Sequence, residues 1–299
     1  MVPVFYSPAY VGASYAFDTT RKAKWVADSL SAQPVSGIRL RAPQPLTRQQ
    51  VMEVHASEYV LAVETGEPES LAQSQGFSWD AGLWSMVLAS NGGVVEAALA
   101  ALHSGVAGSL SSGLHHARHA RGSGFCTFNG LAIAARAALA AGAQSVLILD
   151  LDAHCGGGTH SLIAEHPGIW QLDVSVSSFD SYEPSERTSL HILRDAHDYL
   201  PRIASQLNEL ESRAPRFDLC LYNAGMDPSE DCDTGGCKGI SCEVLAERER
   251  LVFDWCRARA IPVAFVLAGG YLGSRLDESG LVDLHRLTLS AAARLPSRT

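Results

Sequence analysis

Lysine is almost missing from the 299-residue chain, three residues against 20 arginines, and the 23 basic side chains are outnumbered by 32 acidic ones. A formal charge of −9 excludes long-range attraction to nucleic acid or anionic lipid, so neutral or cationic partners are expected. Long apolar runs are missing too. The longest towards the C-terminus, Ile261 to Ala268, contains Pro262 and falls well short of the roughly 20 residues of a membrane helix, so no span is expected. Met1-Val2-Pro3-Val4-Phe5-Tyr6 has neither the basic start nor the apolar core of a secretory leader, which points to the cytoplasm. Seven cysteines, at 126, 155, 220, 232, 237, 242 and 256, are too scattered for a disulfide framework. Cys232, Cys237 and Cys242 are five apart, a spacing that fits no common zinc knuckle. Repeats, charge blocks, low-complexity tracts and linkers are lacking, and a single domain over residues 1–299 is expected.

What is present is a chain 46% hydrophobic and 18% charged, able to bury a large core. Short apolar runs at Val4 to Tyr6, Ser145 to Leu149, Trp170 to Val176, Leu219 to Tyr222 and Val263 to Leu267 read as strands. Helical patterns lie between them. Phe128 to Ala141 is Ala-rich and apolar almost all round, as a helix buried against a sheet would be. From Ser241, a fair N-cap, Val244, Leu245, Leu251, Val252 and Trp255 recur on one helical face. The alternation predicts an α/β fold, an open parallel sheet with helices on both faces, in which ligands collect beyond the carboxyl ends of the strands.

Three strand ends deliver polar groups. After Leu149 comes Asp150-Leu151-Asp152-Ala153-His154, after Tyr222 comes Asn223-Ala224-Gly225-Met226-Asp227, and after Leu267 comes Ala268-Gly269-Gly270-Tyr271. Asp152 and His154, two apart in extended chain, point the same way and with Asp227 make two oxygen donors and one nitrogen. Such a set holds a catalytic ion with coordination positions left open; strand-end aspartates that merely cap helices, with a packed histidine, are the bland alternative. His115 and His116, adjacent in the Gly-flanked loop after Ser111-Ser112-Gly113-Leu114, suit a general base and acid, or are a chance pair in a solvated loop. Tyr271, after two glycines, is a hydroxyl for a developing oxyanion or a packing tyrosine.

Five motifs in order, Gly113-Leu114-His115-His116-Ala117, Gly124-Phe125-Cys126-Thr127-Phe128-Asn129, Asp150 to His154, Gly225-Met226-Asp227 and Ala268 to Tyr271, resemble the zinc-dependent histone deacetylases and their bacterial acetylpolyamine amidohydrolase relatives. The resemblance runs from Val54-His55, before Tyr59, to Tyr271. It implies the arginase-deacetylase fold and zinc-dependent hydrolysis of an N-acyl amine such as acetylpolyamine or acetyl-lysine. By position it implies Asp152, His154 and Asp227 as ligands of one Zn²⁺, and His115 and His116 as the tandem histidines, with Asp150 orienting His115. It also implies Tyr271 as the transition-state hydroxyl and Gly124, Phe125 and Gly270 as lining of the acyl tunnel. A structural K⁺ is implied among the backbone carbonyls around Asp150, Asp152, His154 and Ser175. Cys155 stands where relatives have His, and Gly157 where they have Asp or Asn supporting the second histidine. His116 is therefore expected to lack a supporting carboxylate and to be less basic. Gly156 lacks the further aspartate that a two-manganese ureohydrolase of this fold needs. The bare Gly157 encourages the reading from a different class, a metal-binding, non-catalytic acyl-ligand sensor or interaction protein. A homo-oligomer is compatible with the sequence, and the acids Glu230, Asp231 and Asp233 would suit a cationic substrate or are simply solvated.

Overall fold

The computed structural model describes residues 1–13, 15 and 17–295. Eight strands form one sheet: β1 (Val2–Phe5), β2 (Ile38–Arg41), β3 (Val106–Ser109), β4 (Val146–Asp150), β5 (Ile169–Ser175), β6 (Thr188–Ile192), β7 (Leu219–Gly225) and β8 (Val263–Ala268). Their order is β2-β1-β3-β8-β7-β4-β5-β6 and every pairing is parallel. A strand covered on both faces needs apolar residues at successive positions, and Val-Leu-Ile-Leu-Asp of β4 and Val-Ala-Phe-Val-Leu-Ala of β8 are buried throughout. Alternation then splits the core. Leu147 and Leu149 face one apolar cluster with helices Lys22–Ala32, Tyr199–Arg213, Cys242–Ala258 and Glu278–Ala293. Val146 and Ile148 face the other, with Ser57–Thr65, Leu83–Ser104 and Gly130–Ala140.

All five expected strands are present. β2, β3 and β6 were not legible, because each is short and lacks a sustained apolar run. β2 alternates half-buried Ile38 and Leu40 with exposed Arg39 and Arg41, charges that suit its place at the sheet edge. The helix expected from Phe128 starts at Gly130, capped by Asn129, whose Oδ1 accepts from Ala132 N at 3.0 Å. Helix Leu83–Ser104 was passed over. By length and composition it is apolar enough to cross a membrane, yet it lies against β3, β8 and helix Gly130–Ala140 with most of its surface buried.

One buried cation braces the ends of β4 and β7. Arg248, with no exposed surface, donates through Nη1 to the carbonyls of Leu151 (3.2 Å) and Gly225 (2.6 Å). Glu249 answers its charge at 2.6 Å and also accepts from the Tyr222 hydroxyl. A guanidinium with several donors can hold two strand ends at once, which a point charge does poorly.

Candidate active site at the carboxyl ends of the central strands

The segments that follow β3, β8, β7, β4 and β5, five neighbouring strands, supply the polar groups, so residues distant in sequence meet above the middle of the sheet. Asp152, His154 and Asp227 come together with their ligand atoms within 4.8 Å of one another. His154 Nδ1 faces both carboxylates, 3.2 Å from Asp152 Oδ1 and 3.0 Å from Asp227 Oδ2. The other Asp227 oxygen accepts from Ala153 N, whereas Oδ2 is buried without a hydrogen-bond partner. Burial and the charge of Asp152 push the Asp227 carboxyl up to about 6. Two carboxylates and an imidazole, their ligand atoms converging in a buried place, fit a divalent cation. Among the described residues this is the single such cluster, and the spaced cysteines do not form another.

His115 and His116 differ in their surroundings. His115 Nδ1 lies 2.7 Å from Asp150 Oδ2, and Asp150 Oδ1 accepts from Asn223 Nδ2 at 2.8 Å. Burial disfavours the imidazolium of His115, but the charges of Asp150 and Asp152 outweigh it and raise the group to about 10. The His116 ring packs 4.0 Å from that of His115. Burial, then the positive His115, press it down to about 4.

The expectation that His116 lacks support is corrected. Its Nδ1 meets Asp180 Oδ2 at 2.9 Å, a carboxylate delivered by the segment after β5, 64 residues away. Asp180 is also paired with Arg118 and accepts from Gly158 N at 3.0 Å. Both departures at 155 and 157 serve this segment. Cys155 N donates to Phe179 O at 3.0 Å and its thiol to Ser177 O at 3.2 Å. A Cβ on Gly157 would stand 2.2 Å from the Asp180 carbonyl oxygen and 2.7 Å from its Oδ1, so the bare position is the space that Asp180 occupies. Asp180→Asn is expected to keep the fold and the metal content while lowering kcat roughly tenfold, steady-state kinetics being the check. Gly157→Asp is expected to lower activity, and full activity in that variant would dispose of the packing argument.

The remaining expected residues lie as follows. Gly124 and Phe125, at φ 51° and 63°, form a turn beside His116, and a Cβ on Gly124 would lie 2.5 Å from the His116 ring. Phe125 is 40% exposed and packs on Phe17 (4.4 Å) and Phe77 (5.2 Å). Leu114, Phe125 and Asp180 are three of the four non-glycine residues at positive φ among those described, a strained conformation concentrated around this site. Ser175 Oγ donates to His154 O at 3.3 Å. Gly269 abuts the cluster, since a Cβ there would lie 2.1 Å from Asp227 Oδ1, and Gly270 leads into half-buried Tyr271. Asp231 and Asp233 are exposed and Glu230 is half-buried; Asp233 Oδ2 accepts from Ser274 N at 2.8 Å and Glu230 Oε2 from Gly239 N at 2.9 Å.

Sequence reasoning missed Asp180, Arg118, Phe179 and Lys22. Phe179, 50% exposed, stands edge-on to the rings of His116 (5.0 Å) and His154 (5.9 Å), making an aromatic wall from the stretch 177–187. Lys22 is fully buried and its ammonium donates to Gly269 O. Desolvation, opposed by Asp152 and Asp227, lowers it to about 8. A lysine inside an apolar helix face, where lysines are scarce, was the signal available.

An open, all-parallel α/β sheet with this cluster and paired imidazoles beyond its carboxyl edge is the arginase-deacetylase fold. The solved acetylpolyamine aminohydrolase from Burkholderia pseudomallei superposes with a TM-score of 0.77 at 18% identity, over 98% of this chain and 99% of that one. An uncharacterised protein of Picosynechococcus sp. is 36% identical over 244 residues, 80% of each chain. Histone deacetylase 2 of Arabidopsis thaliana is 30% identical over 190 residues, 61% of this chain and 49% of its own length. The histone deacetylase domain matches residues 17–282, and the chain belongs to that family.

Proposed function

We propose that the chain is a zinc-dependent amidohydrolase that cleaves linear N-acyl amines, chiefly N-acetyl amines of the acetylpolyamine or acetyl-lysine type, and acts as one catalytic domain. The observation that carries this reading is geometric: two touching imidazoles, each with its own carboxylate on Nδ1, stand beside a metal-binding set. Zinc held by Asp152, His154 and Asp227 would polarise the amide carbonyl and acidify water beside it.

The protein groups do the rest. Phe125 and Phe179 receive the acyl-amine stem and exclude water from it. Neutral His116, oriented through Nδ1 by Asp180, takes a proton from the attacking water at Nε2. The Tyr271 hydroxyl donates to the carbonyl oxygen as negative charge develops there. Cationic His115, oriented by Asp150, provides the proton with which the amine departs, leaving a carboxylate and an amine. A K⁺ enclosed by the carbonyls of Asp150, Asp152 and His154 with Ser175 would stiffen the ligand-bearing strand ends.

A non-catalytic sensor drew its support from the bare position 157, and Asp180 supplies the group that position was thought to lack. The test is acetate release from N-acetyl-lysine amide and N-acetylputrescine by the purified protein. Release is expected to stop on chelation and return with about one equivalent of Zn²⁺. Binding of one Zn²⁺ without acetate release from either substrate would overturn the proposal in favour of the sensor.

A further inference from the structure

The loop that carries Tyr271 runs without regular structure from Gly269 to Asp277, between β8 and helix Glu278–Ala293. Gly269 and Gly270 both have positive φ, 52° and 82°, so the chain ahead of Tyr271 turns on two residues with no side chain to fix it. Within the loop, Gly273 N donates to Leu276 O. Its direction is set from outside. Leu272 N, the amide next to Tyr271, donates to Asp18 Oδ2 at 2.7 Å, across 254 residues of sequence. The ring of Phe17, the neighbour of Asp18, lies 5.5 Å from that of Tyr271 and 4.4 Å from that of Phe125. Lys22, four residues beyond Asp18, donates to Gly269 O at the other end of the glycine pair.

An aspartate that opens a short 3-10 turn, as Asp18 does, ordinarily serves the turn itself. Here Arg21 N is satisfied by the backbone carbonyl of Asp18, and the carboxylate reaches the Tyr271 loop instead. A charged acceptor on a single amide holds it more firmly than a neutral one, and the amide it holds belongs to the residue next to the reacting hydroxyl.

We propose that Asp18, assisted by Phe17, is a positioning residue that latches the Gly269–Leu272 loop so that the Tyr271 hydroxyl is aimed at the substrate carbonyl. This rests on the role given to Tyr271 above. The latch acts on geometry alone, because Asp18 holds a backbone amide. A displaced hydroxyl costs transition-state stabilisation and leaves ground-state binding largely intact, and a misplacement of about 1 Å is enough to cost up to 10²-fold.

The experiment is a double-mutant cycle on the zinc-loaded full chain with N-acetyl-lysine amide, alongside hydrogen exchange of residues 269–276. Asp18→Ala is expected to lower kcat about tenfold with KM within about twofold, and Asp18→Asn, which keeps an acceptor oxygen, to recover most of that loss. In a Tyr271→Phe background Asp18→Ala is expected to have almost no further effect, since the hydroxyl it aims is gone. The Leu272 amide is expected to exchange faster in Asp18→Ala, with zinc content unchanged. Should Asp18→Ala fail to fold, Phe17→Leu carries the same cycle. An undiminished Asp18→Ala effect in the Tyr271→Phe background, or unchanged exchange at Leu272, overturns the latch. A Tyr271→Phe variant with full kcat, together with faster exchange in Asp18→Ala, overturns the role of Tyr271 and leaves the latch as a fact about the loop.

Discussion

Asp227→Ala is expected to abolish stoichiometric zinc binding and to reduce kcat/KM by about 10³-fold or more, because two protein ligands then remain where three converge. The fold should survive. Asp227 sits in the segment after β7, and its contacts with Ala153 N and the His154 ring join two loops rather than two core elements. Its carboxylate is buried beside that of Asp152, so in the metal-free protein burial and the like charge oppose its ionisation more than His154, 3.0 Å away, favours it. Thermal stability without metal should therefore hold or rise in the variant. The stabilisation that zinc confers should vanish: at 100 times the dissociation constant a bound ligand adds about 2.7 kcal/mol to the native state, and Asp227→Ala forgoes it. Elemental analysis and melting curves with and without zinc read the two effects. Unchanged metal content in Asp227→Ala, or two ions per chain in the parent, would remove the ligand set from consideration.

Tyr271→Phe is expected to lower kcat by roughly 10²-fold or more with little change in KM, the pattern for loss of a donor used only in the transition state. The ring still packs on Phe17, so stability and zinc content should stay at parental values. A tyrosine present for packing would give the opposite result, normal kcat in the folded fraction with a lowered melting temperature. That outcome would return Tyr271 to the loop as a spacer and require another donor for the carbonyl oxygen. Lys22 is badly placed for that task, since its ammonium is already engaged by Gly269 O and is fully buried.

Much of the fold and the ligand set is legible in the chain because the signals are short-range. Asp152 and His154 lie two residues apart in the bend just after β4, Asp150 ends that strand, and Asp227 and Tyr271 follow the ends of β7 and β8 by two and three residues. β3 and β6 escaped notice for the opposite reason. Val-Ala-Gly-Ser and Thr-Ser-Leu-His-Ile become strands through the neighbours they pair with, not through their own composition.

Position 157 shows where such reading stops. The chain reads as having lost a carboxylate, and in one dimension that is accurate. In three dimensions the carboxylate comes from Asp180, the segment holding it is fastened by Cys155, and the glycine is the room it needs. The sequence by itself determined the alternation that makes a parallel α/β sheet, the polar groups at the strand ends and the Asp-His-Asp donors, each written within a few residues of the end of an apolar run. Only the tertiary structure decided which carboxylate supports His116, which wall faces the imidazoles and what holds the Tyr271 loop. Those are contacts across 64 and 254 residues, made by packing whole elements against one another, and no local pattern encodes their partners.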